Sequence, residues 1–236
     1  MALVDPALFR EQFSNLPGWQ GPSTEMEKKI ENASIQDLVK WWRCEEPPEW
    51  ASPAHSFFNA LARALRHAGP RGVQFLKDQL RADDNPKKKS IALLELSQKG
   101  SADAEVIEYL VKAFYEEDPR WKECGLAGLI RSRQFILKRV CVERLLNSDD
   151  QWAAAAAMDY LCHAEPSEVI QLLRKGLQDL RPVVRAHACS NVGQRNIKEL
   201  SEEVRRLLKD ENQYVRNAAQ AADELLELSS LNTFKG

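Results

Sequence analysis

The sequence has few cysteines and histidines, the side chains that most often build metal centres and disulfide frameworks. There are five cysteines and four histidines among 236 residues. The cysteines are odd in number, and none forms a Cys-x-x-Cys pair: Cys44, Cys124, Cys141, Cys162 and Cys189. This pattern argues against a zinc site or a disulfide framework, so we expect no metal, mostly buried thiols and a reducing, cytoplasmic location.

Long apolar runs and an excess of charge of one sign are also missing. The most apolar stretch, Trp152 to Met158, is far shorter than the ~18 residues that a membrane helix needs. The chain begins without the basic and apolar leader of a secreted protein. Lys and Arg together number 33 and Asp and Glu 35, whereas a general nucleic-acid binder is usually strongly basic. We therefore predict a folded protein that does not enter a membrane and does not favour nucleic acid as its partner.

What the sequence does contain is an internal repeat of 31 to 33 residues. Its best preserved pattern is an Asp followed five and six positions later by Val and Arg. The pattern occurs twice, 31 positions apart, as Asp179, Val184 and Arg185 and then as Asp210, Val215 and Arg216. Trp152, Trp121 and Lys88 continue the spacing toward the N-terminus, and we align them with Val184. A period of this length is typical of solenoids, in which each unit buries its apolar side by stacking on its neighbours.

Each unit has the composition of two helices joined by a turn. The first helix carries apolar residues three and four positions apart, as in Glu168 to Leu177. Pro86, Pro119 and Pro182 suit the first turn of the second helix, and we expect a preceding Asp or Asn to cap it. Small residues follow the proline, so that the second helices approach closely.

These units resemble the HEAT-repeat family in its short form, similar to the phycobilisome-lyase-type repeats. The resemblance rests on two units: Asp179, Val184, Arg185, Ala188 and Gly193, then Asp210, Val215, Arg216, Ala218 and Ala219. The two tryptophan units depart from the pattern, since we align Ala153 and Lys122 with the repeated Arg. The resemblance implies an all-α, right-handed α-solenoid of about five to six antiparallel helix pairs, with the second helices on the concave side.

The first part of the chain differs from the repeats. Residues 1–69 hold four of the six tryptophans, and prolines and glycines divide them into short pieces. Ser34 to Arg43 is predicted to be a helix capped by Ser34, and Pro53 to His67 a second helix with one aromatic and aliphatic side. We assign residues 1–69 to an N-terminal helical cap with room for one degenerate repeat. Residues 70–236 are assigned to the repeat array.

The repeated Arg and Asp residues are expected to hold the stack together. Arg185 and Arg216 occupy equivalent places, and each is predicted to bond to a turn Asp of its own or a neighbouring unit, with Asp179 and Asp210 as the partners. A guanidinium meets a carboxylate with two parallel hydrogen bonds, which suits this role. The alternative is an anion-binding strip.

A second set of polar residues falls on neighbouring second helices. Asp159, His187 and Asn191 are predicted to lie close together, and His163 follows Asp159 by one helical turn. They form either a hydrogen-bonded patch between helices or a polar pocket with a general base oriented by a carboxylate. We predict no catalytic residue, and the metal-binding His-Glu pair of HEAT-like diiron hydroxylases is absent from the sequence.

Two regions are candidates for partner binding. Trp41 and Trp42 point about 100° apart on one helix, so we expect one to be buried and the other to anchor a partner. The other region is the concave side of the second helices, predicted to present the strip Ser90, Glu123, Ala154, Ala186 and Asn217, and one turn later Leu94, Ala127, Met158, Ser190 and Ala221. From this strip we take Ser90, Glu123, Met158 and Asn217 as partner-binding residues. Trp121 and Trp152 are predicted to pack in the core.

We therefore predict a non-catalytic protein–protein interaction module, such as a scaffold, an adaptor or a partner-specific inhibitor. It uses the concave side, the aromatic cap or both, it needs no cofactor, and its oligomeric state is open. One alternative is an enzyme subunit that handles a cofactor, similar to the bilin lyases, with a pocket near Asp159, His187 and Asn191. The other is a HEAT-like nucleic-acid-binding or DNA-repair protein, which would use basic clusters such as Lys87 to Lys89.

Overall fold

A computed structural model describes residues 24–51, 54–82, 85–98 and 102–233. Within these ranges the secondary structure consists of α-helices and short 3-10 turns without strands, which confirms the predicted all-α class. None of the described helices is both long and apolar enough to cross a membrane. The chain forms two compact units, one up to Leu110 and one from Val111 onward. The predicted boundary between residues 69 and 70 stays a prediction.

Among its described residues, the first unit contains five helices and the start of a sixth. They are α1 (Thr24–Glu31), α2 (Ile35–Trp42), α3 (Ala54–His67), α4 (Pro70–Ala82), α5 (Pro86–Leu96) and α6 (Ala104–Tyr115), the last of which continues into the second unit. The predicted cap of α2 is confirmed. The Ser34 hydroxyl accepts a hydrogen bond from the Asp37 backbone N–H at 3.2 Å and donates one to its carboxylate at 2.6 Å.

Helix α3 provides the core of the first unit. Its predicted apolar side is buried, with Phe57, Leu61 and Leu65 fully inaccessible. Trp42 packs edge-on against Phe58, with ring centroids 5.9 Å apart. The ammonium group of Lys88 is buried here as well. It donates to the Trp42 carbonyl at 2.8 Å and the Cys44 carbonyl at 2.7 Å, which pins the end of α2 to α5.

The second unit continues with seven helices: α7 (Pro119–Ser132), α8 (Arg139–Leu146), α9 (Gln151–Ala164), α10 (Val169–Leu177), α11 (Pro182–Gln194), α12 (Ser201–Arg206) and α13 (Gln213–Thr233). Short 3-10 turns flank α10 and α12. The second helix of each repeat packs on the next, α7 on α9, α9 on α11, and α11 on α13. Small residues allow this close packing. A Cβ at Gly193 of α11 would lie 2.7 Å from the Ala222 Cα of α13.

Most of the second helices begin with the N-terminal cap that the sequence predicts. Pro86, Pro119 and Pro182 each lie in the first turn of a helix. Asn85 and Asp118 accept hydrogen bonds from backbone N–H groups of that turn. Helix α11 differs because Arg181, which cannot accept such a bond, stands at the N-cap position.

The N-caps correct the sequence alignment of one repeat by a single residue. Asp150 caps α9, so Trp152 is the second residue of that helix, as Val183 is in α11. Ala153, which is fully buried, therefore takes the place of Val184 in the core. Trp152 is 49% exposed, and the prediction that it packs in the core is wrong.

The same one-residue shift moves the predicted concave strip on α9. Met158 is fully buried in the core of the second unit, so its assignment to partner binding is wrong, and Asp159 takes its place on the surface. Ala154 and Ala186 are also buried, because neighbouring second helices cover them. The run of alanines from Ala153 to Ala157 fits either alignment, so the sequence alone did not fix it.

Cations hold the turn between the two helices in each repeat of the second unit. Arg185 donates to the carbonyls of Asp179 and Leu180, at 2.9 and 3.0 Å. Arg216 and Lys122 bond to the equivalent carbonyls of their own turns. In the α9 repeat the residue equivalent to Arg185 is Ala154, which cannot donate such a bond. The backbone carbonyl of Ser148, in the turn of that repeat, instead accepts a hydrogen bond from Arg181 of the following repeat.

The repeated Arg and Asp residues that were predicted to hold the stack together form one pair with each other. Arg185 forms two hydrogen bonds of 2.9 Å with the Asp210 carboxylate of the next repeat. The Asp179 carboxylate pairs with Arg181 instead, and Arg216 bonds to backbone carbonyls and the Gln213 side chain. Of Arg185 and Arg216, Arg185 is therefore the one that pairs with a carboxylate of the next repeat.

The five cysteines are free thiols. Cys124, Cys162 and Cys189 are buried, and burial raises the pKa of each of these thiols to about 12. A thiol with such a pKa is uncharged and unreactive near neutral pH. Cys44 and Cys141 are half-buried.

Candidate functional site

The candidate site lies on the second helices of the second unit and is called the Trp152 surface here. It is formed by side chains from α7, α9, α11 and α13, and all except the exposed Trp152 are half-buried. Its members are Glu123, Trp152, Asp159, His187, Asn191 and Tyr214. It combines an exposed indole with a polar network.

The polar network joins the three residues that the sequence analysis placed together. His187 Nδ1 lies 2.9 Å from Asp159 Oδ2, and the Asn191 amide donates to Asp159 Oδ1 at 2.7 Å. The same amide donates to the His187 carbonyl at 3.0 Å. The side chains of His187 and Asp159 are 29% and 26% exposed. The network is therefore open to solvent on one side.

His163 lies one helical turn after Asp159, but its ring packs against another aromatic side chain. Its ring stacks on Phe135, with centroids 6.1 Å apart and planes within 6°. Burial lowers the pKa of His163, and the positive charges of Arg195 and Arg133 lower it further. The pKa of His187 is raised instead. Burial lowers it, but the charge and the hydrogen bond of Asp159 together with the charge of Glu123 outweigh burial.

We expect His187 to titrate above the ordinary histidine value of ~6.5 and His163 below it. Because folding raises the pKa of His187, its contribution to stability is complete below pH ~6.5 and is lost as the pH rises through the folded value. The imidazole resonances of the two residues, followed by NMR from pH 5 to 9, check this order. Asp159→Asn serves as the control, since it should lower the pKa of His187 more than that of His163. A His187 pKa at or below that of His163 would contradict the geometry.

The aromatic part of the surface is centred on Trp152. Its ring packs edge-on against the His187 ring, with centroids 6.3 Å apart, and is tilted against the Tyr214 ring, with centroids 6.2 Å apart. These contacts hold the indole in place while about half of it faces solvent. Tyr214 was not among the residues predicted from the sequence. With the corrected alignment, Tyr214 occupies the same repeat position as Trp152, and that equivalence would have revealed it.

Glu123 adds a carboxylate to this surface, and the charges of His187 and Arg120 act on it. It lies on α7, where the sequence analysis predicted a partner-binding residue, and it is half-buried. Burial raises the pKa of Glu123, the nearby charge of Asp150 raises it further, and His187 lowers it. Within the described part of the chain, Glu123 forms no hydrogen bond or ion pair.

The other predicted partner-binding residues lie elsewhere. Trp42 is 1% exposed, so it is a core residue and cannot anchor a partner. Trp41 is half-buried and packs against Trp50, with ring centroids 5.0 Å apart. Ser90, on α5 of the first unit, donates to the Lys87 carbonyl at 2.9 Å, and Asn217 of α13 accepts a hydrogen bond from Gln213 at 2.6 Å.

The first unit contains a cavity of about 360 Å³ between α1, α2 and α3. Its lining is mostly alanine and aliphatic, and Glu27 and Arg63 stand on its wall 3.7 Å apart. In the part of the chain that the structure describes, no three His, Cys, Asp or Glu side chains gather to hold a metal ion.

The match to a family model agrees with the repeat geometry. Residues 139–222 match the family model described as HEAT repeats. This segment belongs to the HEAT-repeat family. The HEAT segment spans α8 to the first ten residues of α13 and thus contains Trp152, Asp159, His187, Asn191 and Tyr214. A crystal structure of an engineered protein is similar at 17% identity and a TM-score of 0.43, over 87% of this chain and 98% of that one. No curated protein matches this chain.

Proposed function

We propose that the protein is a non-catalytic interaction module, a scaffold, adaptor or partner-specific inhibitor, that binds a segment of another protein on the Trp152 surface. The observation that carries the proposal is Trp152, an indole 49% exposed between the rings of His187 and Tyr214. Exposed tryptophans that are held in place are favoured anchors of protein interfaces. HEAT repeats offer a broad surface of stacked helices, which suits an extended protein segment.

The state of the basic clusters supports a protein partner over nucleic acid. Lys88 is buried and bonded to carbonyls. Arg139 pairs with Glu143 and Glu168, both at 2.7 Å. Arg205 pairs with Asp223 at 3.0 Å. Cations that are already paired with carboxylates contribute little to binding phosphates.

An enzymatic or cofactor-handling role, similar to the bilin lyases, is the second candidate. The observation that favours it is the solvent-open pair of His187 and Asp159, because an imidazole oriented by a carboxylate can act as a general base. The same pair also satisfies polar groups between two packed helices, which accounts for its geometry without any reaction. The phycobilisome-lyase-type form of the repeat and the cytoplasmic location stay predictions.

We expect Trp152→Ala to abolish partner binding while changing the free energy of unfolding by less than ~1 kcal/mol, since half of the side chain is exposed. The experiment selects binders to the full chain from a displayed random-peptide library and measures their affinity for wild type and variant. Leu180→Ala is the matched control, because Leu180 is 95% exposed and lies outside the Trp152 surface.

Peptides that lose at least about tenfold in affinity for Trp152→Ala, and none for Leu180→Ala, would support the proposal. Peptides that bind Trp152→Ala as tightly as wild type would overturn it. So would repeated selections that enrich no binder of the wild-type chain.

A further inference from the structure

Arg195, at the C-terminal end of α11, is a half-buried cation that pairs with no carboxylate of the described residues. Its Nε donates to the Asn191 side-chain oxygen at 3.3 Å, and its Nη2 is buried without an acceptor among those residues. Other arginines of the second unit pair with carboxylates: Arg139, Arg174, Arg181, Arg185 and Arg205. A buried charged donor without an acceptor lowers stability, so Arg195 favours an acceptor supplied from outside the protein.

Hydrogen bonds and a ring contact connect Arg195 to Trp152. The Asn191 side chain accepts from Arg195 and donates to Asp159 at 2.7 Å, and Asp159 lies 2.9 Å from His187 Nδ1. The His187 ring packs on the Trp152 ring, with centroids 6.3 Å apart. The Asp159 carboxylate bonds to Asn191 and His187, and within the described residues no hydrogen bond joins it to Arg195. The Trp152 surface therefore continues along α11 to a cation at its end.

His163 and Phe135 lie next to this cation. Helices α9 and α11 run in the same direction with Asp159 bonded to Asn191, so the residues one turn later, His163 and Arg195, are also neighbours. The lowering of the pKa of His163 by the charge of Arg195 agrees with this placement. Phe135 stacks on the His163 ring, with centroids 6.1 Å apart, and is 38% exposed. The ends of α9 and α11 thus present a positive charge and an exposed aromatic ring.

We infer that the segment bound at the Trp152 surface continues to the end of α11 and places an aspartate or glutamate carboxylate against Arg195. This inference rests on the proposed function. A guanidinium binds a carboxylate through charge-assisted hydrogen bonds, and the partner then supplies the acceptor that Arg195 lacks.

The length of α11 sets the spacing of the acid in the partner. His187, which packs on Trp152, and Arg195 are eight residues apart, or about 12 Å at ~1.5 Å per helical residue. An extended segment advances ~3.3 Å per residue. The acid should therefore lie about four residues from the side chain that packs on Trp152.

The first test uses small probes in place of the unidentified partner. N-acetyl-glutamate methylamide is titrated into the isotope-labelled full chain, and N-acetyl-glutamine methylamide is the neutral probe of nearly the same shape. The readout is the NMR signal of the His163 ring, which is retained when Arg195 is replaced. We expect saturable binding of the glutamate probe, about threefold to tenfold weaker in Arg195→Gln, and weaker, Arg195-independent binding of the glutamine probe. The bound carboxylate should also raise the pKa of His163, because it offsets the charge of Arg195.

The controls separate a charge effect from a folding effect. Arg195→Lys keeps the charge and should bind the glutamate probe more tightly than Arg195→Gln does. Arg174→Gln removes an arginine of α10 that already pairs with Glu203 at 3.2 Å, and it should leave the binding unchanged. Higher ionic strength should weaken the glutamate probe and not the glutamine probe.

Three results of the probe experiment would overturn the inference. The first is equal affinity for the glutamate and glutamine probes, and the second is unchanged glutamate affinity in Arg195→Gln. The third is tighter binding of inorganic phosphate or oligodeoxythymidine than of the glutamate probe, lost in Arg195→Gln, which would indicate a phosphate site instead.

The peptide selection distinguishes failure of this inference from failure of the proposed function. Peptides that depend on Trp152, share an acid about four residues from a common apolar residue, and weaken with Arg195→Gln support both statements. Replacing that acid with glutamine in the peptide should remove the difference between wild type and Arg195→Gln. Peptides that depend on Trp152 but lack a common acid, or that ignore Arg195→Gln, would overturn the inference and leave the proposed function standing. Peptides that bind Trp152→Ala as tightly as wild type would overturn both.

Discussion

Replacing Arg185 with alanine is expected to lower the free energy of unfolding by about 3–5 kcal/mol, the usual result of breaking a buried ion pair from one side. The side chains of Arg185 and Asp210 are only 10% and 8% exposed. The variant leaves the Asp210 carboxylate inside the protein without its two hydrogen bonds from the guanidinium. It also leaves the carbonyls of Asp179 and Leu180 without their donor. Urea unfolding followed by far-ultraviolet circular dichroism measures the change.

Arg216→Ala is the matched control, because Arg216 holds the same place in the next repeat. Arg216 is half-buried and bonds to backbone carbonyls and to Gln213. Its loss strands no carboxylate, so we expect a cost of only about 1 kcal/mol. If the two variants lose the same stability, the pair of Arg185 and Asp210 does not have the role described here.

Trp42→Ala is expected to cost about 3–5 kcal/mol through the cavity that it leaves in the first unit. Trp42 is 1% exposed and touches the rings of Phe58 and Phe75, at 5.9 and 6.5 Å between centroids. Among the described residues its buried Nε1 has no hydrogen-bond partner, so the expected loss comes from packing. Urea unfolding followed by tryptophan fluorescence and circular dichroism checks the value.

Trp41→Ala, the neighbouring substitution, is the control for Trp42→Ala. Trp41 is half-buried and packs mainly against Trp50, so we expect a loss of about 1–2 kcal/mol. The two tryptophans are adjacent in sequence and differ in burial. A Trp42→Ala variant no less stable than Trp41→Ala would contradict the assignment of Trp42 to the core.

Much of the fold could be predicted because several independent sequence signals in the repeats indicate the same structure. The period of 31 to 33 residues, the prolines at 86, 119 and 182, and the apolar spacing each indicate helix pairs. The sequence also placed Asp159, His187 and Asn191 together, since equivalent positions in successive repeats lie side by side in a stack. Local rules sufficed for the Ser34 cap as well, because its hydrogen bonds join residues only three apart.

The sequence could not decide the features that depend on a single residue of alignment or on which face a neighbour covers. The alanines from Ala153 to Ala157 fit two alignments, and only the Asp150 cap, seen in three dimensions, exposes Trp152 and buries Met158. Trp41 and Trp42 look alike in sequence, and only the packing of α3 against α2 buries Trp42. Asp179 and Asp210 are equivalent in the repeat, yet only Asp210 pairs with Arg185, because Arg181 occupies the Asp179 carboxylate. For Trp152, Met158 and the two tryptophans of α2, a rotation of one residue about the helix, about 100°, separates core from surface, and contacts between distant segments decide which side chain faces inward.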